Sequence, residues 1–227
     1  MKDDEEREHG HEREHGQGGW RGYLERRSRE FSRITTDRLA LLDPLADHIR
    51  RALEVEGEAR LNFICTHNSR RSHFGQVWAA ACARYVGVEG LRCHSGGTVV
   101  TAFEPRAVAA LGRAGLRAAA LTSVGEDVPI EANPVYEFRL ESGASPVLCW
   151  SKRFDDADSP DERFIAVLMC NEAADACPVV PGADQRIALP YADPKAEDGR
   201  PREAEAYDET CATVARELLY VMTRVKS

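Results

Sequence analysis

Apolar residues form two patterns along the chain, regular spacing and short continuous runs, which predict alternating helices and strands. Steps of three and four residues predict a helix over 36–56 and a second, long one over 207–225. The same spacing predicts helices that begin near Arg71 and at Pro105. Short apolar runs without that spacing predict four strands, at 61–64, 91–94, 164–169 and 186–189.

The order of these elements indicates the fold class. Strands that alternate with helices are typical of an open, doubly wound α/β sheet whose strands are parallel. The run FIAVLM at 164–169 is apolar throughout, as expected for a strand that is covered on both faces. One region departs from the alternation, because 135–140 and 147–150 predict a β-hairpin joined through a turn at 142–144. The sequence therefore predicts a parallel sheet with an inserted hairpin.

Composition narrows the class of protein. Of the 227 residues, 43% are hydrophobic and 30% are charged, which is typical of a soluble globular protein. The formal net charge of −8 argues against a nucleic-acid partner, which favours a basic surface. No apolar stretch is long enough to span a bilayer, and the first residues, MKDDEEREHG, lack the apolar core of a secretory signal. We therefore expect no membrane partner.

The cysteines and the N-terminal composition predict the compartment and the domain order. The chain has seven cysteines, an odd number, and no recognisable signal, so we expect free thiols and a cytoplasmic location. Residues 1–30 are charged and Gly-rich, and EREHG occurs twice there, which predicts a disordered acidic tail. The helical repeat after it predicts a helical extension over 31–58, which is followed by a domain over 59–227.

The stretch CTHNSRRS at 65–72 carries the clearest chemistry. It follows a predicted strand and leads into a predicted helix. Main-chain amides in a tight loop before a helix hold an anion, and the helix dipole adds positive potential. Cys65 would be stabilised there as a nucleophilic thiolate, and the planar guanidinium of Arg71 would hold two oxygens of a tetrahedral oxyanion. The alternative is an ordinary buried cysteine at a strand end. The predicted oxyanion-binding loop consists of Thr66, His67, Asn68, Ser69, Arg70, Arg71 and Ser72.

This stretch resembles the anion loop of the low-molecular-weight protein tyrosine phosphatase superfamily, Cys-x-x-Asn-x-x-Arg-Ser, on the first strand of the domain. The resemblance implies an enzyme with a flavodoxin-like strand order. It also implies that Cys65 is the nucleophile and Arg71 the oxyanion clamp. In the same comparison, Asn68 shapes the loop and Ser72 donates its hydroxyl hydrogen to the thiolate.

Two further cysteines follow a later strand. Cys170 ends the predicted strand 164–169, and Cys177 lies beyond it with six residues between them. They are either two ordinary thiols near a loop or a relay. In the relay, Cys170 attacks a Cys65 adduct and Cys177 then attacks the resulting disulfide.

The spacing of this pair resembles that of the thioredoxin-coupled arsenate reductases, which have the phosphatase fold. Those enzymes carry Asp-Pro sixteen residues after the second cysteine, as Asp193-Pro194 follows Cys177 here. The resemblance covers roughly 60–118 and 163–225. It implies thioredoxin, or another dithiol, as the electron donor and no tightly bound cofactor.

Asp193 is the remaining catalytic candidate. The resemblance implies that it is the general acid, which protonates the leaving oxygen while Cys65 attacks. A carboxyl group near a thiolate is expected to have a raised pKa, which suits an acid. The alternative is a turn aspartate that precedes a proline.

The chain also departs from the family pattern. The variable positions His67 and Arg70 receive no catalytic role from the resemblance. Gln76 stands where the reductases commonly have a glutamate that binds potassium, so we expect no metal. Lys195 follows Asp193-Pro194 where tyrosine phosphatases commonly have an aromatic residue, which disfavours a phosphotyrosine substrate. The region of about 119–162, with the hairpin, is an insertion beyond the family core.

Three functions are compatible with these residues. The first, which we favour, is arsenate reduction to arsenite through Cys65, Cys170 and Cys177. The second is hydrolysis of phosphomonoesters, phosphotyrosine among them, through a Cys65 thiophosphate. The third is a non-catalytic module that senses an oxyanion or redox state. Because both enzymatic functions use Cys65, Arg71 and Asp193, the choice between them depends on the cysteine pair.

Overall fold

In the computed structural model, which describes residues 19–121, 133–171, 173 and 179–227, helices flank a parallel β-sheet. The helices are α1 (Gly19–Ser28), α2 (Thr36–Glu56), α3 (Arg71–Val86), α4 (Pro105–Arg113) and α5 (Glu203–Lys226). The strands are β1 (Ala59–Cys65), β2 (Leu91–Gly97), β3 (Ala118–Ala120), β4 (Tyr136–Phe138), β5 (Val147–Cys149), β6 (Phe164–Leu168) and β7 (Ala183–Ala188). Short 3₁₀ turns lie at Phe31–Arg33 and Pro194–Glu197.

The main sheet has four parallel strands in the order β2-β1-β6-β7. This is the flavodoxin-like order, so the predicted fold class is confirmed. All five residues of β6 are buried, in agreement with the apolar run in the sequence. Because β1 and β6 are parallel neighbours, their carboxyl ends lie at one edge of the sheet. Cys65 ends β1, and Cys170 follows β6 by two residues.

The insertion forms a second, antiparallel sheet in the order β3-β4-β5. Its β4 and β5 are the predicted hairpin, with Tyr136 opposite Cys149. The strand β3 was not predicted, because its three residues are all alanine and carry no alternation of apolar and polar side chains. It forms a strand because it pairs with β4, which the local sequence does not indicate.

The prediction of disorder over 1–30 is wrong for α1. Trp20 is buried in this helix, and the ring of Tyr23 stacks on Trp78 of α3 with 5.2 Å between ring centroids. Arginines elsewhere on the helix make its composition similar to that of the charged residues before it. Contacts with distant residues, which composition does not show, therefore hold this segment. Residues 1–18 lie outside the described residues.

The predicted helical extension contains α2, which continues through Pro44 as one helix of 21 residues. Gly57, in the left-handed conformation at φ 74°, ends it. Arg38 donates two hydrogen bonds to Glu217 on α5 and one to the carbonyl oxygen of Pro190. The extension is thereby attached to the segment that leads to Asp193. None of the helices in the described part of the chain is long and apolar enough to cross a membrane.

Candidate active site

The Cys65 loop, residues 65–72, joins the end of β1 to the start of α3. Cys65 is 4% exposed, and its Sγ lies 3.1 Å from Ser72 Oγ. Asn68 adopts the left-handed conformation, with φ 43°, and its Nδ2 donates to the same Ser72 Oγ at 2.9 Å. Because Ser72 Oγ accepts that hydrogen bond, its own hydrogen is free to be donated to the Cys65 sulfur.

The carbonyl groups of the Cys65 loop are directed at the segment 98–104, which follows β2. Four of them accept hydrogen bonds there: Cys65 from Thr98 N–H, Thr66 from Val99 N–H, His67 from the Thr101 hydroxyl and Ser69 from Glu104 N–H. In the part of the chain that the structure describes, the main-chain amides of 66–70 donate to no protein acceptor. A loop with its carbonyls used and its amides free is suited to bind an anion.

A glycine is required beside this loop. A Cβ atom at Gly97 would lie 2.7 Å from the main-chain nitrogen of Asn68 and 2.9 Å from the carbonyl oxygen of Thr66. Both contacts are with main chain, so they could be relieved only by moving the loop itself. The close approach of β2 to the loop therefore depends on the missing side chain.

The insertion also supports the Cys65 loop. Ser151 Oγ donates to the carbonyl oxygen of His67 at 3.0 Å, and Lys152 N–H donates to Asn68 Oδ1 at 2.8 Å. Gly97 N–H in turn donates to the Lys152 carbonyl oxygen at 2.8 Å. Sequence reasoning missed Ser151 and Lys152, because they lie far along the chain in a region outside the resemblance.

Asp193 lies between two arginines. Its Oδ2 accepts from Arg71 Nη2 at 2.9 Å, and its Oδ1 accepts from Arg70 Nε at 2.9 Å. The other terminal nitrogen of Arg71 donates to the carbonyl oxygen of Tyr191 at 3.1 Å. Both guanidinium groups are largely buried, with each arginine 8% exposed. The structure thus gives Arg70, which the motif treats as variable, a direct contact with the candidate acid.

The prediction of a raised pKa for Asp193 is wrong. Burial raises the pKa of this carboxyl group, but the charges of Arg71 and Arg70 outweigh burial and hold the pKa below its ordinary value. The prediction considered only the thiolate and did not include a second guanidinium. Asp193 is therefore a carboxylate at neutral pH in this arrangement.

Cys170 lies against the Cys65 loop. It is fully buried, its Sγ is 3.6 Å from Thr66 Oγ1, and it accepts a hydrogen bond from Ala173 N–H at 3.3 Å. Cys65 and Cys170 are both free thiols. Cys177, the other member of the predicted relay, lies outside the described residues.

The side chain of Gln76 is hydrogen-bonded within the protein. Its Oε1 accepts from Ser95 Oγ at 2.7 Å, and its Nε2 donates to the carbonyl oxygens of Cys93 and Leu148. The neighbouring His73 is fully buried, and burial lowers its pKa to about 3, so its imidazole is neutral. Among the described residues, no three His, Cys, Asp or Glu side chains form a group that could hold a metal ion.

Solved structures similar to this chain have low sequence identity to it. A mutant of YwlE from Bacillus subtilis is 15% identical with a TM-score of 0.48, over 75% of this chain and 100% of that one. A low-molecular-weight phosphotyrosine phosphatase from Vibrio cholerae O395 is 14% identical with a TM-score of 0.41, over 73% and 94%. A thioredoxin-dependent arsenate reductase from Corynebacterium glutamicum is 17% identical with a TM-score of 0.41, over 88% and 84%.

The similar structures include both kinds of protein that the motif resembles. At this level of identity and superposition they do not assign an activity to the chain. No family model matches the sequence, and no curated protein matches it.

Proposed function

We propose that the protein is a thiol-dependent arsenate reductase. The observation that supports this most strongly is the position of Cys170, whose sulfur lies 3.6 Å from the hydroxyl of Thr66, the residue after Cys65. A hydrolase needs no second thiol at that place. A reductase needs one, because two electrons must pass from protein sulfur to the oxyanion.

The first step would be attack by the Cys65 thiolate on arsenate bound by the loop amides and Arg71. A bond forms between sulfur and arsenic, and one arsenate oxygen leaves as water after it receives a proton. Asp193 would give that proton, but as a carboxylate paired with Arg71 it must first take one up. Arsenate competes with Asp193 for Arg71, and its negative charge raises the carboxyl pKa. Substrate binding therefore favours the acid form of Asp193.

The remaining steps would be thiol exchange. The Cys170 thiolate attacks the Cys65 sulfur, the sulfur–arsenic bond breaks, and its electron pair leaves with arsenite. The Cys177 thiolate then attacks Cys170, which releases the Cys65 thiolate. An external dithiol, for which we propose a cytoplasmic thioredoxin, reduces the Cys170–Cys177 disulfide by two electrons.

Hydrolysis of phosphomonoesters is the second candidate. It is supported by the contact of Asp193 with Arg71 at the Cys65 loop, because Cys65, Arg71 and Asp193 would be sufficient for phosphoryl transfer without Cys170. Cys65 would form a thiophosphate, Asp193 would protonate the leaving alcohol, and water activated by the same carboxylate would release phosphate.

The two activities are separated by Cys170→Ser, assayed with arsenate plus thioredoxin and its reductase, and in parallel with para-nitrophenyl phosphate. We expect the variant to lose repeated arsenate turnover, because no disulfide with Cys65 can form. Aryl phosphate hydrolysis, if the parent has it, should change by less than about threefold, because Cys170 takes no part in the phosphoryl transfer of the second candidate.

Cys93→Ser is the matched control, since Cys93 is a partly buried thiol outside the site. It should leave both rates near those of the parent. Arsenate turnover by Cys170→Ser at the parent rate would exclude the relay. A parent protein that hydrolyses the ester but never reduces arsenate would establish the second candidate.

A further inference from the structure

The structure has a cavity that no residue of the Cys65 loop lines. It has a volume of about 720 Å³ and is bounded by α3, by the edge strand β2 and by β5 of the antiparallel sheet. None of Cys65, Arg71, Asp193 or Cys170 lines it. We refer to it as the Lys152 cavity. Its lining includes Gln76, His94, Leu148, Trp150 and Lys152.

Lys152, which lines this cavity, is unusual because a lysine is seldom buried. It is 3% exposed, and its Nζ lies 3.8 Å from the centroid of the Trp150 ring. Within the described chain, this ammonium makes no hydrogen bond and no ion pair. Cys149, Asp156 and Asp158 favour its charge, but neither carboxylate pairs with it. Burial lowers the pKa of Lys152 against these charges. A buried ammonium without a paired anion is destabilised, which a bound anion would reverse.

The other cations of the cavity are already paired. Arg84 lies 3.4 Å from Glu141, and Arg92 lies 3.5 Å from Glu58. His94 is neutral at physiological pH because burial lowers its pKa. Lys152 is therefore the cation of this wall that has no anionic partner among the described residues. The chain has four lysines and twenty-six arginines, and the other described lysines, Lys195 and Lys226, are exposed.

The remaining lining residues indicate what kind of anion fits. Apolar side chains of β5 and its surroundings, among them Leu140, Val147 and Leu148, can cover an apolar ligand body. The carboxylates of Glu89 and Asp158 lie in the same wall and would repel a ligand with several negative charges. A single negative charge on an apolar body satisfies both conditions.

We infer that the Lys152 cavity binds a small amphipathic monocarboxylate, aromatic or aliphatic, whose carboxylate pairs with the Lys152 ammonium. Trp150 and Leu148 then pack against the body of the ligand. The inference is independent of the proposed function, because the cavity shares no side chain with the Cys65 loop.

The test uses the full chain labelled at the lysine ε-carbons, whose four lysines give four signals by NMR. The Lys152 signal is assigned as the one missing from Lys152→Arg. Benzoate is the probe, and neutral benzamide is its uncharged control. We expect benzoate to shift the Lys152 signal saturably and to move its titration to higher pH. The Lys226 signal should not move, and benzamide should have no such effect.

The variant Lys152→Met keeps the length of the side chain and removes the charge. It should bind benzoate at least about tenfold more weakly than the parent, whereas Lys226→Met should bind equally well. An unmoved Lys152 signal in the unmodified protein would overturn the inference even if Lys152→Met did not fold. It would also be overturned if inorganic phosphate shifted the signal as strongly as benzoate, because the response would then be one to ionic strength.

Discussion

The two thiols at the carboxyl edge of the sheet are held in different ways. Cys65 belongs to a loop whose carbonyl groups are bonded to 98–104 and whose Asn68 and His67 are bonded to the insertion. Cys170 is more buried, yet its sulfur contacts the Thr66 hydroxyl and the Ala173 amide, which lie in the Cys65 loop and just beyond its own strand. The loop of Cys65 is thus held by segments from elsewhere in the chain, whereas among the described residues the sulfur of Cys170 is held by the Cys65 loop and by an amide just beyond β6.

This difference fits the two tasks that we propose. A nucleophile that attacks a bound oxyanion needs a fixed geometry, because misplacement by about 1 Å can lower a rate a hundredfold. A thiol that must form a disulfide has to lie next to the other sulfur, because the two Cα atoms of a disulfide lie within about 7 Å. Variants of the fixed region should therefore affect any activity of the site, whereas variants of the second region should affect reduction alone.

The largest effect is expected from Cys65→Ser. A hydroxyl group at this position is a far poorer nucleophile than a thiolate, so arsenate reduction and aryl phosphate hydrolysis should both fall by about a thousandfold or more. Retention of either activity above a tenth of the parent rate would show that Cys65 is not the nucleophile. The control is Cys211→Ser, whose sulfur accepts a hydrogen bond from Trp78 in the core and has no part in the site.

Asp193→Asn should have the next largest effect. An amide gives no proton, so kcat for phenyl phosphate should fall by about a hundredfold or more. The loss should be smaller for para-nitrophenyl phosphate, whose leaving group needs less protonation. Asp208→Asn removes an exposed salt bridge between α5 and Arg113 and should leave both rates unchanged. Equal losses with the two esters would show that Asp193 is not the general acid.

Gly97→Ala should act on the Cys65 loop through its shape. The added methyl group meets main-chain atoms of Thr66 and Asn68, so the loop must shift and kcat/KM should fall by about tenfold or more. Gly112→Ala is the matched control, because a Cβ atom there has nothing within 4 Å. Circular dichroism should show that both variants fold. Parent-like kinetics in a folded Gly97→Ala protein would show that the loop is less constrained than its contacts indicate.

Local patterns were enough to predict part of this molecule. The spacing of apolar residues predicted α2, α3, α5 and the strands of the main sheet, because each of these elements buries a face of its own sequence. The motif at 65–72 placed Cys65 at a strand end and Arg71 at a helix start, which the structure also has. These features depend on residues that are close together in the chain.

The features that were not predicted depend on residues that are far apart in the chain. The burial of α1 rests on Trp78 and other distant partners, and β3 exists because β4 pairs with it. Ser151 supports the Cys65 loop, and Arg70 contacts Asp193. Both contacts join segments that are far apart in the chain, and no periodic pattern in the sequence indicates that these segments meet. The wrong prediction for the Asp193 pKa had the same origin. Folding brings Asp193 next to Arg71 and Arg70, and their charges determine the direction of the pKa shift.

The smallest effect is expected from Arg70→Gln, and it appears in the pH profile. Arg70 stabilises the carboxylate form of Asp193, so its removal should raise the Asp193 pKa toward the ordinary value. A required acid loses activity as pH rises through its pKa. The alkaline fall of kcat for phenyl phosphate, which reports the enzyme–substrate complex, should therefore move to higher pH in Arg70→Gln, while the maximal rate changes by only a few-fold because Arg71 remains. Arg113→Gln, which removes an exposed arginine paired with Asp208, should leave the profile in place.

A fall at unchanged pH would mean that Arg70 only packs against Asp193. A fall displaced to lower pH would contradict the sign of the interaction and with it the assignment of Asp193 as the acid.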